Sequence, residues 1–375
     1  MACTDEHYRY VEYLQRQTLD EDWKECFDAA SWKTWALKNG DRLKNLVDYN
    51  NSDTALSLVA QLEQNITAFE PKTRYEVPFT ASIFEPILNE VKDAAAVMGM
   101  RPIRPVEIVT STDSAATPAA RPTTSSHLLF IGLGTSSFCN YWAKAVTAAT
   151  MGIAPTLGFA RITDVKDIEQ VFRRDPSGLI LAMRLSLYYA AFGTTIAFGE
   201  VRQPSIYIPY RAQLCHAMET FAVAHEYAHF VAEERLRDFS GSLDDSGSQD
   251  LELFCDALGL QISRECGNRT DNYLSFAGIG ALVFFRVIQL CESLRGDLIE
   301  YGFPLSVAKK EGDKVSHPST ERRIQEIRVR LIETTDADQR ASTQDFFEEY
   351  DRILMGIISI VLETGKRTME QDAKA

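Results

Sequence analysis

The sequence predicts an α+β fold that is mostly helical and carries one small sheet. Three observations point there. Apolar residues recur at three- and four-residue steps over most of the chain, the period of helices with a buried face. Only three short stretches have the make-up of strands: Val106 to Val109, Leu128 to Ile131 and Ser205 to Ile208. The 375 residues are 45% hydrophobic and 25% charged, which suits two or three globular domains or one large one with extensions.

Residues 1 to about 110 read as a helical N-terminal region. Tyr10, Tyr13 and Leu14 share one face, followed by Trp23, Phe27, Trp32 and Trp35. Asp53 can cap a helix running through Leu56, Val59, Ala60, Leu62 and Ile66 to Phe69, where Pro71 interrupts. Ile83 to Val97 forms another helix, stopped near Gly99. These aromatic and aliphatic stripes are read as core, and no chemistry is visible among them. Residues 111–126, rich in Ser, Thr, Ala and Pro, read as a flexible loop or linker. Gly132-Leu-Gly134 lacks the third glycine and the lysine of a phosphate loop, so it is a strand-to-helix turn. Helices follow at about Phe138 to Thr150, Asp164 to Arg173 and Leu179 to Phe192. Leu274 to Phe285 and Ile353 to Leu362 are apolar but fall short of the ~20 residues a membrane span needs. They read as buried helices. A C-terminal helix and tail occupy residues 341–375.

The formal charge is −14, which argues against a nucleic-acid partner. Seven scattered cysteines, with no C-x-x-C pair, fit reduced thiols. The first residues lack the basic start and apolar run of a secretory signal. Together these features predict a cytoplasmic protein with no membrane span.

The chemistry gathers in Phe221-Ala-Val-Ala-His-Glu-Tyr-Ala-His-Phe230, an H-E-x-x-H pattern. Leu214, Ala217, Phe221, Ala224, Ala228 and Val231 give the segment a helical period over about Tyr210 to Arg237. On a helix, His225 and His229 stand one above the other and can converge on one metal ion. Glu226 points to the flank of that face, where its carboxylate can take a proton from water at the metal. Ser205 to Ile208 reads as a short strand that ends at Pro209, directly before this helix; were the chain a peptidase, such an edge strand would be expected to pair with an extended substrate.

A catalytic zinc takes three protein ligands. The metzincin positions for a glycine and a third histidine hold Ala232 and Arg235, so that class is excluded. His216 lies nine residues before His225, about 13 Å down the helix, and cannot help. Beyond a loop at Asp238 to Ser248, a helical stretch with Leu251, Phe254, Ala257 and Leu258 carries Glu252 and Asp256 on one face. One of the two can bind zinc while the other holds a ligating histidine by a hydrogen bond. Cys255 is a weaker alternative on the apolar side.

H-E-x-x-H followed by E-x-x-x-D resembles the gluzincin class of zinc peptidases. Ser316-His-Pro-Ser-Thr-Glu-Arg-Arg-Ile324 is similar to the His-Pro segment of the CAAX prenyl protease family and its soluble relatives. The resemblance runs in islands over about Ser205 to Ile327. It implies a zincin-like metallopeptidase domain at residues 127–340, with a small sheet whose edge strand precedes the active-site helix. It also implies Zn2+ as cofactor, His225, His229 and Glu252 as ligands, Glu226 as general base and Asp256 as hydrogen-bond partner of the ligand set. Pro318 suits a first helical turn, which would put His317 at the cap. His317, or a neighbouring arginine, could then serve the oxyanion. The expected activity is hydrolysis of a peptide or protein substrate. Two alternatives remain: a zinc-binding regulatory protein without peptidase activity, and a latent intracellular defence or stress protease. The N-terminal region is open to a regulatory partner in either case.

Overall fold

A computed structural model describes residues 5–18, 28–38, 60, 63–112, 116–157, 165–196, 198–199, 201–236, 245–303, 305 and 318–372. Trp23, Phe27, Asp53, Leu56, Val59, Leu62 and His317 lie outside them. The chain is mostly helical with one three-stranded sheet. In chain order the elements are α1 (Asp5–Thr18), α2 (Ala29–Lys38), α3 (Pro78–Val97), β1 (Val106–Thr110), β2 (Ala119–Pro122), β3 (His127–Ile131), α4 (Leu133–Leu157), α5 (Val165–Arg174) and α6 (Ser177–Phe192). They continue with α7 (Ile208–Leu236), α8 (Asp245–Arg269), α9 (Tyr273–Phe276), α10 (Ile279–Glu300), α11 (Thr320–Thr334) and α12 (Ala337–Asp372).

The sheet order is β1-β3-β2. β1 runs parallel to β3, with Val106 opposite His127, and β2 runs antiparallel to it, with Ala119 opposite Phe130. Successive side chains of a strand point to opposite faces. Leu129 and Ile131 therefore join α3 and α7 on one face, while Leu128 and Phe130 meet Val11 of α1 on the other. The expected strands at Val106 and Leu128 form. The segment 111–126 is not all loop: residues 119–122 are the edge strand β2, and β1 and β3 on either side of it belong to one sheet. Ala-Ala-Arg-Pro lacks the β-branched and aromatic residues that mark a strand, so only pairing with β3 defines it.

Ser205 to Ile208 is not a strand. Ser205–Tyr207 makes a 3-10 turn, Ile206 points into solvent, and α7 begins at Ile208. Pro209 then sits in the first turn of α7, where its missing N–H is no loss and its fixed φ favours the helix. The stripes of α1 differ as well. Tyr10 and Tyr13 are exposed, and the buried line runs through Val11 and Gln15. Trp35 is exposed too, edge-on to Trp32.

From Ala217 to Ala232 α7 is buried all round except at half-buried His229. Leu214, Ala217, Met218, Phe221 and Ala222 pack into a large core with α4, α10 and α12. Val223, Ala224, Tyr227, Ala228, Phe230, Val231 and Ala232 pack into a second core with α3, α8 and the sheet. Its last turns are tied to the sheet. Buried His127 of β3 stacks on Phe230 at 4.4 Å, with Nε2 2.9 Å from Glu234 and Nδ1 3.7 Å from Glu233. Arg104 pairs with both glutamates. Among the described residues no helix is long and apolar enough to cross a membrane.

Candidate metal centre

Two glycines let neighbouring helices close on α7. A Cβ on Gly259 of α8 would stand 2.9 Å from both Cα and N of His225. A Cβ on Gly280 of α10 would stand 2.3 Å from the carbonyl oxygen of Ala217. The Gly259 contact sets α8 backbone to backbone against the metal helix. Glu252, seven residues earlier and two turns back, then comes level with the histidines.

His225 Nε2 and His229 Nε2 are 3.3 Å apart. Glu252 straddles them, with Oε2 3.5 Å from His225 Nε2 and Oε1 3.5 Å from His229 Nε2. Ligands about 2.0–2.2 Å from a tetrahedral zinc stand about 3.3–3.6 Å from one another. The three groups thus have the mutual spacing of such a ligand set, and their N2O chemistry suits zinc. Glu226 is close as well: its carboxylate and the two imidazoles offer ligand atoms within 4.8 Å of one another.

Asp256, fully buried, lies 2.9 Å from His225 Nδ1. A carboxylate there keeps the proton on Nδ1 and turns the Nε2 lone pair toward the metal position. Arg323 of α11 grips the same carboxylate with two bonds, Nε to Oδ2 at 2.7 Å and Nη2 to Oδ1 at 2.6 Å. Its guanidinium lies 4.3 Å above the ring of Phe285, and Nη2 is 3.7 Å from Glu252. A line of contacts therefore runs from α11 through Asp256 to His225. α11 itself is capped by Ser319, whose side chain accepts from Arg322 N. Pro318 stands before that cap, so the cap is not at residue 317.

The electrostatics follow from burial and neighbours. Burial pulls the His225 imidazole down, but Asp256 and Glu252 outweigh it and lift the pKa to about 9. Burial and the His225 cation push His229 down to about 4. Glu226 is raised to about 7, mainly by burial, with His225 opposing and Glu252 adding. The Ala120 backbone in β2 is near enough to lower the Glu226 carboxyl, which sets the edge strand beside the proposed base. Burial pushes the Cys255 thiol far up, and it faces the core of α3 and α7, so it is no ligand. His216 is held by Glu90 at 2.9 Å, with Asn272 3.3 Å away.

Helical spacing pairs His225 with His229 and Glu252 with Asp256, the resemblance to gluzincins implies one site for these four and Glu226, and the fold brings all five together. Of the segment expected as a loop, Asp238 to Ser248, residues 245–248 belong to α8 and the rest lie outside the described residues. Phe254 is exposed and Cys255 takes its place in the core. Arg323 was legible only as one of two arginines after the His-Pro pair, and its helix position, 67 residues from Asp256, gives no local signal. No protein family, curated protein or solved structure matches the chain. The functional reading therefore rests on the chemistry of the site.

Proposed function

We propose that the chain is a zinc-dependent peptidase of gluzincin type, with His225, His229 and Glu252 holding the metal. The observation that carries this reading is the triangle of three donor groups at tetrahedral spacing, with a fourth group, Glu226, beside it. A bound zinc ion would supply Lewis acidity, activating water and polarising the peptide carbonyl. Glu226 accepts the proton of the attacking water and hands it to the leaving amine. Asp256 fixes the tautomer of His225, and Arg323 fixes Asp256. β2 takes the role first expected of Ser205 to Ile208, as the strand along which an extended peptide would lie.

A second reading has Glu226 as the third ligand, which its nearness to both histidines allows. The site would then be a metal-binding centre without a base. Glu226→Gln separates the two. The amide cannot accept a proton at neutral pH. Under the peptidase reading zinc content and folding persist, while cleavage of a protein mixture falls by the order of 10²-fold or more. Under the second reading the variant loses zinc.

A further inference from the structure

Arg211, Cys215, Glu219, Ala222, Glu226 and His229 follow one another on α7 at steps of three or four residues, so they share one face. The N-terminal end of that face opens into a cleft of about 610 Å³ between α3, α4 and α7. This volume lies within the range of small-ligand sites.

Arg211 lines the cleft and is 8% exposed. Its guanidinium makes no hydrogen bond or ion pair with any described residue, and neither does the side chain of Asn140 in the opposite wall. The other polar groups there are engaged. His216 pairs with Glu90. Lys144, behind Tyr141, donates to the Val201 carbonyl at 3.0 Å. Ser137 accepts from Thr195 at 2.9 Å and keeps its own O–H. Glu219, at the other end, has Cys215 and Ser136 beside it, and burial raises it to about 7.

A buried guanidinium cannot shed its proton, and burying it without a counter-charge is costly. The fold gives it an opening instead of a partner. We propose that this cleft binds a carboxylate, gripped by the Arg211 fork with the Asn140 amide and Ser137 hydroxyl as further donors. The Arg fork matches a carboxylate with two parallel bonds. One unengaged cation, with Glu219 in the same cleft, suits a single negative charge better than a phosphate dianion.

As a site of substrate recognition the cleft rests on the peptidase reading; as a carboxylate site it does not. Arg211 precedes Glu226 by 15 residues, about 22 Å of helix. An extended peptide advances about 3.3 Å per residue, so the carboxylate would stand roughly six or seven residues from the bond cleaved. It can come from an acidic side chain or from a peptide C-terminus.

Calorimetric titration of the full zinc-loaded chain tests this with four probes: Nα-acetyl-glutamate N-methylamide, Nα-acetyl-glutamine, Nα-acetyl-glutamine N-methylamide and inorganic phosphate. One or both carboxylates should bind at least tenfold more tightly than the neutral amide, and whichever binds names the source. Arg211→Gln should lose at least tenfold of that affinity while melting at or above the parent temperature. Arg211→Lys, which keeps the charge without the fork, should retain part of the binding. The site is overturned if the carboxylates bind no better than the neutral amide, or if phosphate binds tenfold more tightly than both. It is equally overturned if Arg211→Gln binds like the parent, or melts several degrees lower because the arginine is structural. A parent that binds the carboxylate but cleaves no peptide would sink the peptidase reading and leave the site standing. A parent that cleaves peptides but binds no carboxylate would do the reverse.

Discussion

Two clusters of histidine and carboxylate meet on neighbouring turns of α7. In the first, His225 and His229 turn their Nε2 atoms to within 3.3 Å of each other, with Glu252 across both. In the second, His127 is wedged between Glu233 and Glu234, with Arg104 on the same carboxylates and Phe230 against its ring. Both combine buried imidazole, acid and arginine. The difference lies in where the nitrogens point. In the second cluster Nε2 of His127 is taken by Glu234 and Nδ1 has Glu233 only at 3.7 Å, beyond a hydrogen bond, so the nitrogens face apart and the group ties the sheet to the helix. In the first, Asp256 takes only Nδ1 of His225, and the remaining donors converge on one point. Composition does not distinguish a tie from a candidate metal site; the direction of the lone pairs does.

The largest effect should come from breaking the first cluster. His225→Ala, His229→Ala and Glu252→Ala should each lower zinc affinity by orders of magnitude, read by metal analysis of the purified chain. His127→Asn should keep about one zinc per chain and cost roughly 1–3 kcal/mol of stability for its lost packing and hydrogen bonding. Zinc loss in His127→Asn would erase the distinction between the clusters. Full metal in Glu252→Ala, with loss in Asp250→Ala or Asp256→Ala, would move the ligand assignment.

Arg323→Gln sharpens the comparison at the next level. It removes the grip on Asp256 together with a charge 3.7 Å from Glu252, and should lower zinc affinity about 10–100-fold. An unchanged affinity would show that Asp256 holds His225 unaided. Gly259→Ala acts through the backbone, since the new methyl would stand 2.9 Å from His225. Chemical denaturation should show a loss of about 1–3 kcal/mol, together with weaker zinc binding. A variant with parent stability would mean that α8 can draw back without cost.

Glu219 offers a third case on α7, a buried carboxyl with its histidine neighbour already paired to Glu90. Its pKa in the folded chain is raised to about 7. The unfolded chain releases this proton near pH 4.5 and the folded chain holds it, so stability falls as pH rises from about 4.5 to 7. Glu219→Gln should remove that decline, and above pH 7 should gain up to roughly 3 kcal/mol. Melting temperatures of parent and variant that run parallel from pH 5 to 8 would refute it.

Much of the candidate site was legible because helical spacing is local. A step of four residues from His225 to His229, and again from Glu252 to Asp256, fixes which side chains share a face before any tertiary contact is known. The long helices were legible for the same reason. What escaped was decided by distant partners. β2 is a strand only because β3 lies beside it. Ser205 to Ile208 has β-prone side chains, yet Pro209 draws its end into a helix. Arg323 acquires its place only when α11 packs against α8. The exposure of Tyr10 and Tyr13 depends on which line of α1 meets the sheet, and aromatic content alone does not settle that.

α7 is also a beam with its two halves set in different cores. The change of core falls between Ala222 and Val223, just before His225. The two cores cannot swing apart as rigid bodies without bending the helix that carries both histidines. Any opening of the centre would then fall to slighter parts around it such as the four-residue strand β2, while the histidines stay fixed to the mass of the molecule.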